Sequence, residues 1–332
     1  NALRLLTPEN ASHEVSISPS CRYLVDSYST VSQEPVNVVR NRNGKVIMTL
    51  EKPDLQPVYE MGWKAPERFK VKAADGVTDL YGVMWKPADF DSTKVYPIIS
   101  NVYPGPFFEY VPTRFTINDV YNTRLAQLGF IVITVGHRGG TPMRGKAYHT
   151  YGYNNMRDYP LADDKYAIEQ LAARYPFIDA TKVGIYGHSG GGFMSAAAIC
   201  TYPDFYSAAV SSAGNHDNRI YNKGFVEIHY GVDEKVTTTK DSLGVESKTY
   251  DYSVRVRPNQ ELAKNYKHGL LLFTGAIDQT VNPANTLRLV DALIKADKDF
   301  DMFVLPKCTH GKCGVILHVC CYMITRQTVI LI

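Results

Sequence analysis

Apolar and polar positions follow two different patterns along this chain, and the change falls near Met61. Before it, HEVSIS, RYLVDSYS, VNVVRN and KVIMTL are short runs rich in β-branched and aromatic residues, separated by turn residues. Such runs predict strands. Asn43-Gly44, between the last two, predicts a two-residue hairpin, because both positions tolerate φ > 0. Four short antiparallel strands ending near Glu51 read as one blade of a β-propeller. One blade alone cannot bury its faces or close a ring. Residues 1–60 are therefore expected to be the C-terminal remnant of a longer propeller plus a linker, with a small β cap on the next domain as the alternative.

Residues 61–332 read as a second domain. FKVKAADGVTDLYGVMWKP predicts a hairpin around Asp75-Gly76. YPIISNVY, GFIVITVG, KVGIYG, YSAAVSSA, GLLLFTG and DMFVLP follow as short apolar runs, the pattern of strands covered on both faces. Between them NTRLAQLG, LADDKYAIEQLAARYP, GFMSAAAICTYP and PANTLRLVDALIKAD predict helices. In the last, Asn282 is the expected cap and Pro283 the first helical residue, with Leu287, Val290 and Ile294 on one face. Strand and helix in alternation predict an α/β fold, a mostly parallel doubly wound sheet with right-handed crossovers. The long Gly-, Tyr- and Arg-rich connection from Arg138 to Tyr159 is expected near the functional edge.

Composition narrows the function classes. The 332 residues are 45% apolar and 21% charged, ordinary for a globular chain with a sizeable core. A net charge of +3 with no dense basic run argues against a nucleic-acid partner. No apolar window is long enough for a membrane span. The start, NALRLLTPEN, reads as a cut end without the charged and apolar regions of a signal peptide. Six cysteines are too few for a disulfide framework. Cys308, Cys313, Cys320 and Cys321, with His310 and His318, invite a zinc reading, but their spacing fits no usual ligand template, so neither metal nor cofactor is expected.

The candidate chemistry lies in Gly187-His188-Ser189-Gly190-Gly191, directly after the strand Val183–Tyr186 and before a helix of small residues. That is the context of a nucleophile elbow, in which a serine sits on a tight strand-to-helix turn and a Cβ on the flanking residues would clash. A helix N-terminus there also favours a developing oxyanion. A serine needs a base oriented by a carboxylate. Asp278 stands just past LLLFTG and His310 just past DMFVLP, in the order Ser, Asp, His and at C-terminal strand ends.

VYPGP at 102–106, GIYGHSGGGFMS at 184–195, GAIDQTVNPANT at 275–286 and LPKCTHG at 305–311 together resemble the prolyl oligopeptidase family of serine peptidases, and within it the dipeptidyl peptidase IV-like subgroup. The resemblance runs from about Glu60 to Gly311. It implies an α/β-hydrolase fold behind a β-propeller, with Ser189 as nucleophile, His310 as general base and then acid, and Asp278 as the orienting carboxylate. It further implies an oxyanion hole from the Tyr103 phenol and the Gly190 N–H, peptide substrates and a periplasmic or secreted setting, and it leaves a homodimer open. In that family the propeller covers the site and supplies acidic residues for the substrate's amino group; residues 1–60 contain no Glu-Glu pair.

Other residues carry weaker expectations. Arg138, Arg144, Asp158 and Asp164 read as ion pairs bracing the loop after GFIVITVG. Asn215, His216, Asp217, Asn218 and Tyr221 occupy the stretch where the resembled family builds its specificity pocket, and Asn218, Tyr221 and Val281 are the expected lining. Thr280 stands where the dipeptidyl peptidases commonly carry Asn, which puts a proline preference in question. The tail KCGVILHVCCYMITRQTVILI, residues 312–332, lacks a helical stripe and departs from the family pattern. The leading reading is a serine peptidase of short peptides, dipeptidyl-peptidase-like and acting through an acyl-enzyme. An esterase or acylaminoacyl hydrolase would use the same residues, and a binding module with a vestigial triad is the third reading.

Overall fold

The computed structural model describes residues 3–107, 109–117 and 121–311. The expectations for 312–332, including Cys313, His318, Cys320 and Cys321, lie outside the described residues. Strands β1 (Ser12–Ile17), β2 (Tyr23–Ser29), β3 (Val36–Asn41) and β4 (Val46–Thr49) form an antiparallel meander in that order, the blade read from the sequence. Its middle is held by charge: Arg40 Nε donates to Asp26 Oδ2 at 2.8 Å, both side chains almost wholly buried. Val15, Ile17, Val46, Ile47 and Met48 are exposed on this sheet. The hairpin between β3 and β4 is present, but its turn spans three residues. Only Gly44 has positive φ, and Asn41 N–H donates to Lys45 O across the loop. Asn41 Oδ1 accepts from the N–H groups of Asn43 and Lys45, a side-chain bridge that draws the loop wider than a two-residue turn.

A one-turn helix α1 (Gln56–Glu60) leads to β5 (Glu67–Lys72), β6 (Asp79–Trp85) and β7 (Tyr96–Asn101). Then come α2 (Asn122–Gln127), β8 (Ile131–Val135), α3 (Lys146–His149), α4 (Asp158–Arg174), β9 (Ile178–His188) and α5 (Gly190–Thr201). The chain continues through β10 (Ala208–Ser212), α6 (Lys223–His229), β11 (Val232–Lys240), β12 (Glu246–Val254), β13 (Leu270–Gly275), α7 (Ala284–Lys295) and β14 (Asp301–Leu305). Eight strands make one sheet in the order β14-β13-β10-β9-β7-β8-β6-β5, parallel from β14 to β8 and antiparallel at β6 and β5. This is the α/β-hydrolase fold. Strand order reverses between β7 and β9, where open α/β sheets bind ligands. The strands β8 and β13 are buried at every position, and each fully buried Ile or Leu there contributes roughly 1.5–3 kcal/mol.

Two local expectations are corrected. On α7 the face turned to the core carries Leu289 and Leu293, whereas Leu287 and Ile294 point outward at 51% and 65% exposure. Asn282 does cap this helix, its Oδ1 accepting from Ala284 N–H. Arg138 pairs with Asp163 and Asp75, at 2.7 and 3.0 Å, and not with Asp158 or Asp164. Asp158 pairs with Arg157, Asp164 accepts from Ser100 and Tyr206 hydroxyls, and Arg144 lies over the Tyr148 ring at 4.1 Å. The β11–β12 hairpin was not anticipated. Its strands are exposed along nearly their whole length, and the register puts Val232, Val236, Tyr250, Tyr252 and Val254 on one face, a short period-2 alternation within a mostly polar stretch.

Behind α5 lies a fully buried histidine. Asn259 Nδ2 is 2.9 Å from His216 Nδ1, and an amide nitrogen can only donate, so Nδ1 accepts and Nε2 carries the hydrogen. Burial, with the Arg157 charge adding to it, pushes His216 from 6.5 down to about 3. The unfolded imidazole binds a proton near pH 6.5 and the folded one does not, so its contribution to stability is complete above that pH and lost as pH falls toward 3. Denaturant titrations between pH 6.5 and 4 should show His216 adding about 1.4 kcal/mol per pH unit to the slope. His216→Gln should flatten that slope; an unchanged slope would show that the buried ring already takes up its proton in the folded state.

Candidate active site

Ser189 stands alone between β9 and α5 with φ 58° and ψ −120°, a conformation that costs a non-glycine residue on the order of 1–3 kcal/mol. The surroundings enforce it. Ser189 N–H donates to Ser212 O at 2.7 Å, and Phe193 N–H donates to Ser189 O at 2.9 Å. A Cβ on Gly187 would lie 2.6 Å from Val102 O, one on Gly191 2.2 Å from the same oxygen, and one on Gly192 2.5 Å from Ser212 O. The expected need for glycine is met at these three. Gly190 differs, since a Cβ there would make only ordinary contact, 3.6 Å from Tyr103 Cζ.

Tyr103 follows β7 and crosses toward the elbow. Its phenol is hydrogen-bonded to the Ser189 side chain; burial raises its pKa, and the serine contact works against that rise. The Tyr110 ring braces it from behind at 5.5 Å. Gly190 opens α5, so its N–H belongs to the first helical turn, which has no intrahelical acceptor. Gly190 and the Tyr103 ring adjoin beside Ser189, since a Cβ on Gly190 would lie 3.6 Å from Tyr103 Cζ.

Asp278 and His310 meet across the ends of β13 and β14. Asp278 is buried, and its Oδ1 accepts from the N–H groups of Thr280 and Val281, both at 2.9 Å. Its Oδ2 lies 2.7 Å from His310 Nδ1. A carboxylate held by two N–H donors is an acceptor, so His310 Nδ1–H donates and Nε2 keeps its lone pair. The His310 side chain is 19% exposed.

The weaker candidates divide. Tyr221 is half-buried beside the site; burial raises its phenol pKa, and Tyr103 and Asp278 push in the same direction. It packs edge-on against Phe225 at 5.8 Å, and Phe225 also meets Phe107 and Tyr230. Phe107, Phe225 and Tyr230 were missed, because nothing in the pattern separates them from core aromatics. Asn218 is buried and accepts from Asn215 Nδ2 at 2.7 Å. Val281 is buried, with its main chain committed to Asp278. Asp217 belongs to an ion cluster with Arg219 and Arg288, which hold it down at about 2 against the effect of burial. Glu9, His13 and Asp26 come close enough for a metal, but Arg40 already donates to both carboxylates, at 2.7 and 2.8 Å.

Comparison with known proteins finds dipeptidyl peptidases among the similar sequences. The chain is 27% identical to human dipeptidyl peptidase 8 and 26% identical to the mouse protein of that name; each alignment covers 92% of this chain and 34% of the relative. The chain thus spans about a third of the length of these curated relatives. A crystal structure from Bacteroides ovatus ATCC 8483, described as a candidate dipeptidyl aminopeptidase IV, superposes with a TM-score of 0.81 at 26% identity. That match covers 96% of this chain and 43% of the other. Residues 118–315 match the model of the prolyl oligopeptidase family, and the chain belongs to that family.

Proposed function

We propose that this chain carries the catalytic centre of a serine peptidase, with Ser189 as nucleophile, His310 as general base and Asp278 as the orienting carboxylate. The observation that carries it is the Asp278–His310 contact at 2.7 Å, which fixes the imidazole tautomer, on the same sheet edge as a serine held at positive φ. On this reading His310 Nε2 takes the Ser189 hydroxyl proton as Oγ attacks the scissile carbonyl. The negative charge moves to the carbonyl oxygen, where the Tyr103 phenol leaves Ser189 to donate alongside the Gly190 N–H. As the intermediate collapses, the C–N bond breaks and the imidazolium gives its proton to the departing amine. Water then repeats the sequence on the acyl-enzyme, with His310 again taking the proton, and frees Ser189.

The similarity to proteins named dipeptidyl peptidases supports removal of dipeptides as the specific activity. Tyr221, with Phe225 and Phe107 beside it, supplies an aromatic wall suited to a compact apolar residue before the scissile bond. An esterase would use the same machinery. Turnover of Gly-Pro-p-nitroanilide within reach of a p-nitrophenyl ester supports the peptidase; ester hydrolysis with no amide turnover supports the esterase.

Ser189→Ala should abolish fluorophosphonate labelling and lower kcat by about 10⁶, with the thermal transition retained. Substantial residual turnover would remove Ser189 from the mechanism. Tyr103→Phe should lower kcat by roughly 10²–10³ with little change in KM. If kcat stays at the wild-type value, the phenol is a packing group and a different donor serves the oxyanion.

A further inference from the structure

His188, the residue between Gly187 and Ser189, takes no part in the steps above, yet it touches the base. Its ring centroid lies 4.5 Å from that of His310, with the planes inclined by 44°. Its Nδ1 is 2.9 Å from the Ser212 hydroxyl at the end of β10. The two rings share a tight crevice with Asp278, Phe273 and Thr274 that leaves no room for water. We propose that His188 is a positioning residue: a neutral imidazole, pinned to Ser212, that sets the plane of the His310 ring and holds the loop bearing it over the sheet edge.

Asp278 grips His310 at one nitrogen only, and a ring held at one point can still swing about that contact. A second contact on its face removes this freedom, and misplacement of a base by about 1 Å can cost 10²-fold in rate. The wall must also be uncharged, because the imidazolium formed during catalysis would be opposed by a cation 4.5 Å away. Two charged groups face His188. The proton on His310 disfavours a second one, while Asp278 favours it. Burial is the largest effect and takes His188 from 6.5 down to about 4, so the ring stays neutral through the working range of a histidine base.

The inference rests on His310 being the base, and the experiment keeps the two apart. In the intact protein, kcat, KM, thermal transition and the pH profile of kcat/KM are compared for His188→Ala, His188→Gln and Ser212→Ala. His188→Ala should lower kcat about 10- to 100-fold with KM within about twofold. It should also move the acid limb of the profile to higher pH, since water entering beside His310 stabilises the imidazolium. His188→Gln should recover part of kcat, because its amide can still meet the Ser212 hydroxyl. Ser212→Ala leaves the ring in place, should show a smaller loss of the same kind, and keeps the proposal testable if His188→Ala does not fold. A kcat within about threefold of wild type in folded His188→Ala, or a loss that tracks unfolding with an unmoved acid limb, overturns it. Should Ser189→Ala retain turnover, the reading of the centre itself falls. A silent His188→Ala beside an inactive Ser189→Ala removes only the role of His188.

Discussion

The carbonyl of Val102 has no room to spare, and the geometry of the centre follows from that. It lies where a Cβ on either Gly187 or Gly191 would stand, so β9 and the first turn of α5 close directly onto the end of β7. Val102 N–H donates to Tyr186 O at 2.9 Å, which locks the same residue from its other side. Tyr103 is the next residue along the chain. The position of its phenol relative to Ser189 is therefore set by main-chain contacts across the point where the strand order reverses. Side-chain packing, through Tyr110, only finishes the placement. Strain at Ser189 persists because these contacts leave the chain no other path.

Charge does on the acid side what glycine does at the elbow. The turn after β13 folds onto the Asp278 carboxylate, which takes two N–H groups from residues just beyond it. Asn282 then caps α7, and Arg288 on that helix reaches back to Asp217, whose N–H donates to Asn285 Oδ1. The loop after β10 and the helix after the acid are thus joined through one buried carboxylate. Breaking one arm of such a cluster leaves an uncompensated charge, which costs more than the intact cluster contributes. The region around Asp278 and Asp217 is built to stay in one arrangement.

Much of this was legible in the sequence because chemistry requires particular residues in a particular order. Ser189, Asp278 and His310 each follow an apolar run, and glycines crowd the first of them. What escaped was decided by tertiary contacts. The helix 284–295 carries two overlapping apolar stripes, Leu287–Val290–Ile294 and Leu289–Leu293, and only the sheet beneath it chooses between them. Asp163 and Asp164 are adjacent on α4 and both buried, so composition cannot say which meets Arg138. The two-residue turn expected at Asn43-Gly44 became a three-residue loop because the Asn41 side chain bonds across it. Residues 232–254 pair as an exposed hairpin with Val236, Tyr250 and Tyr252 on one face, a short alternation set within a mostly polar stretch.

On the proposed mechanism, the sheet also explains why His310 needs more than its contact with Asp278. Gly275 and Leu305 are paired in register, so Asp278 and His310 leave neighbouring strands, and their contact spans one strand gap. Ser189 leaves β9, three gaps from β14 at roughly 4.8 Å each. The segment after Leu305 must therefore fold back across the ends of β13 and β10. It lies flat because Gly275 is a glycine: a Cβ there would fall 2.3 Å from Cys308 O. One N–H from below, that of Ile277, meets the same Cys308 carbonyl. Beyond β13 the support has to come from a side chain standing on β9 or β10, and His188, tied to Ser212, is what stands there beside His310. A sheet that places Asp278 and His310 on adjacent strands leaves the longer reach, the one the proposed mechanism requires toward Ser189, to a residue of the elbow itself.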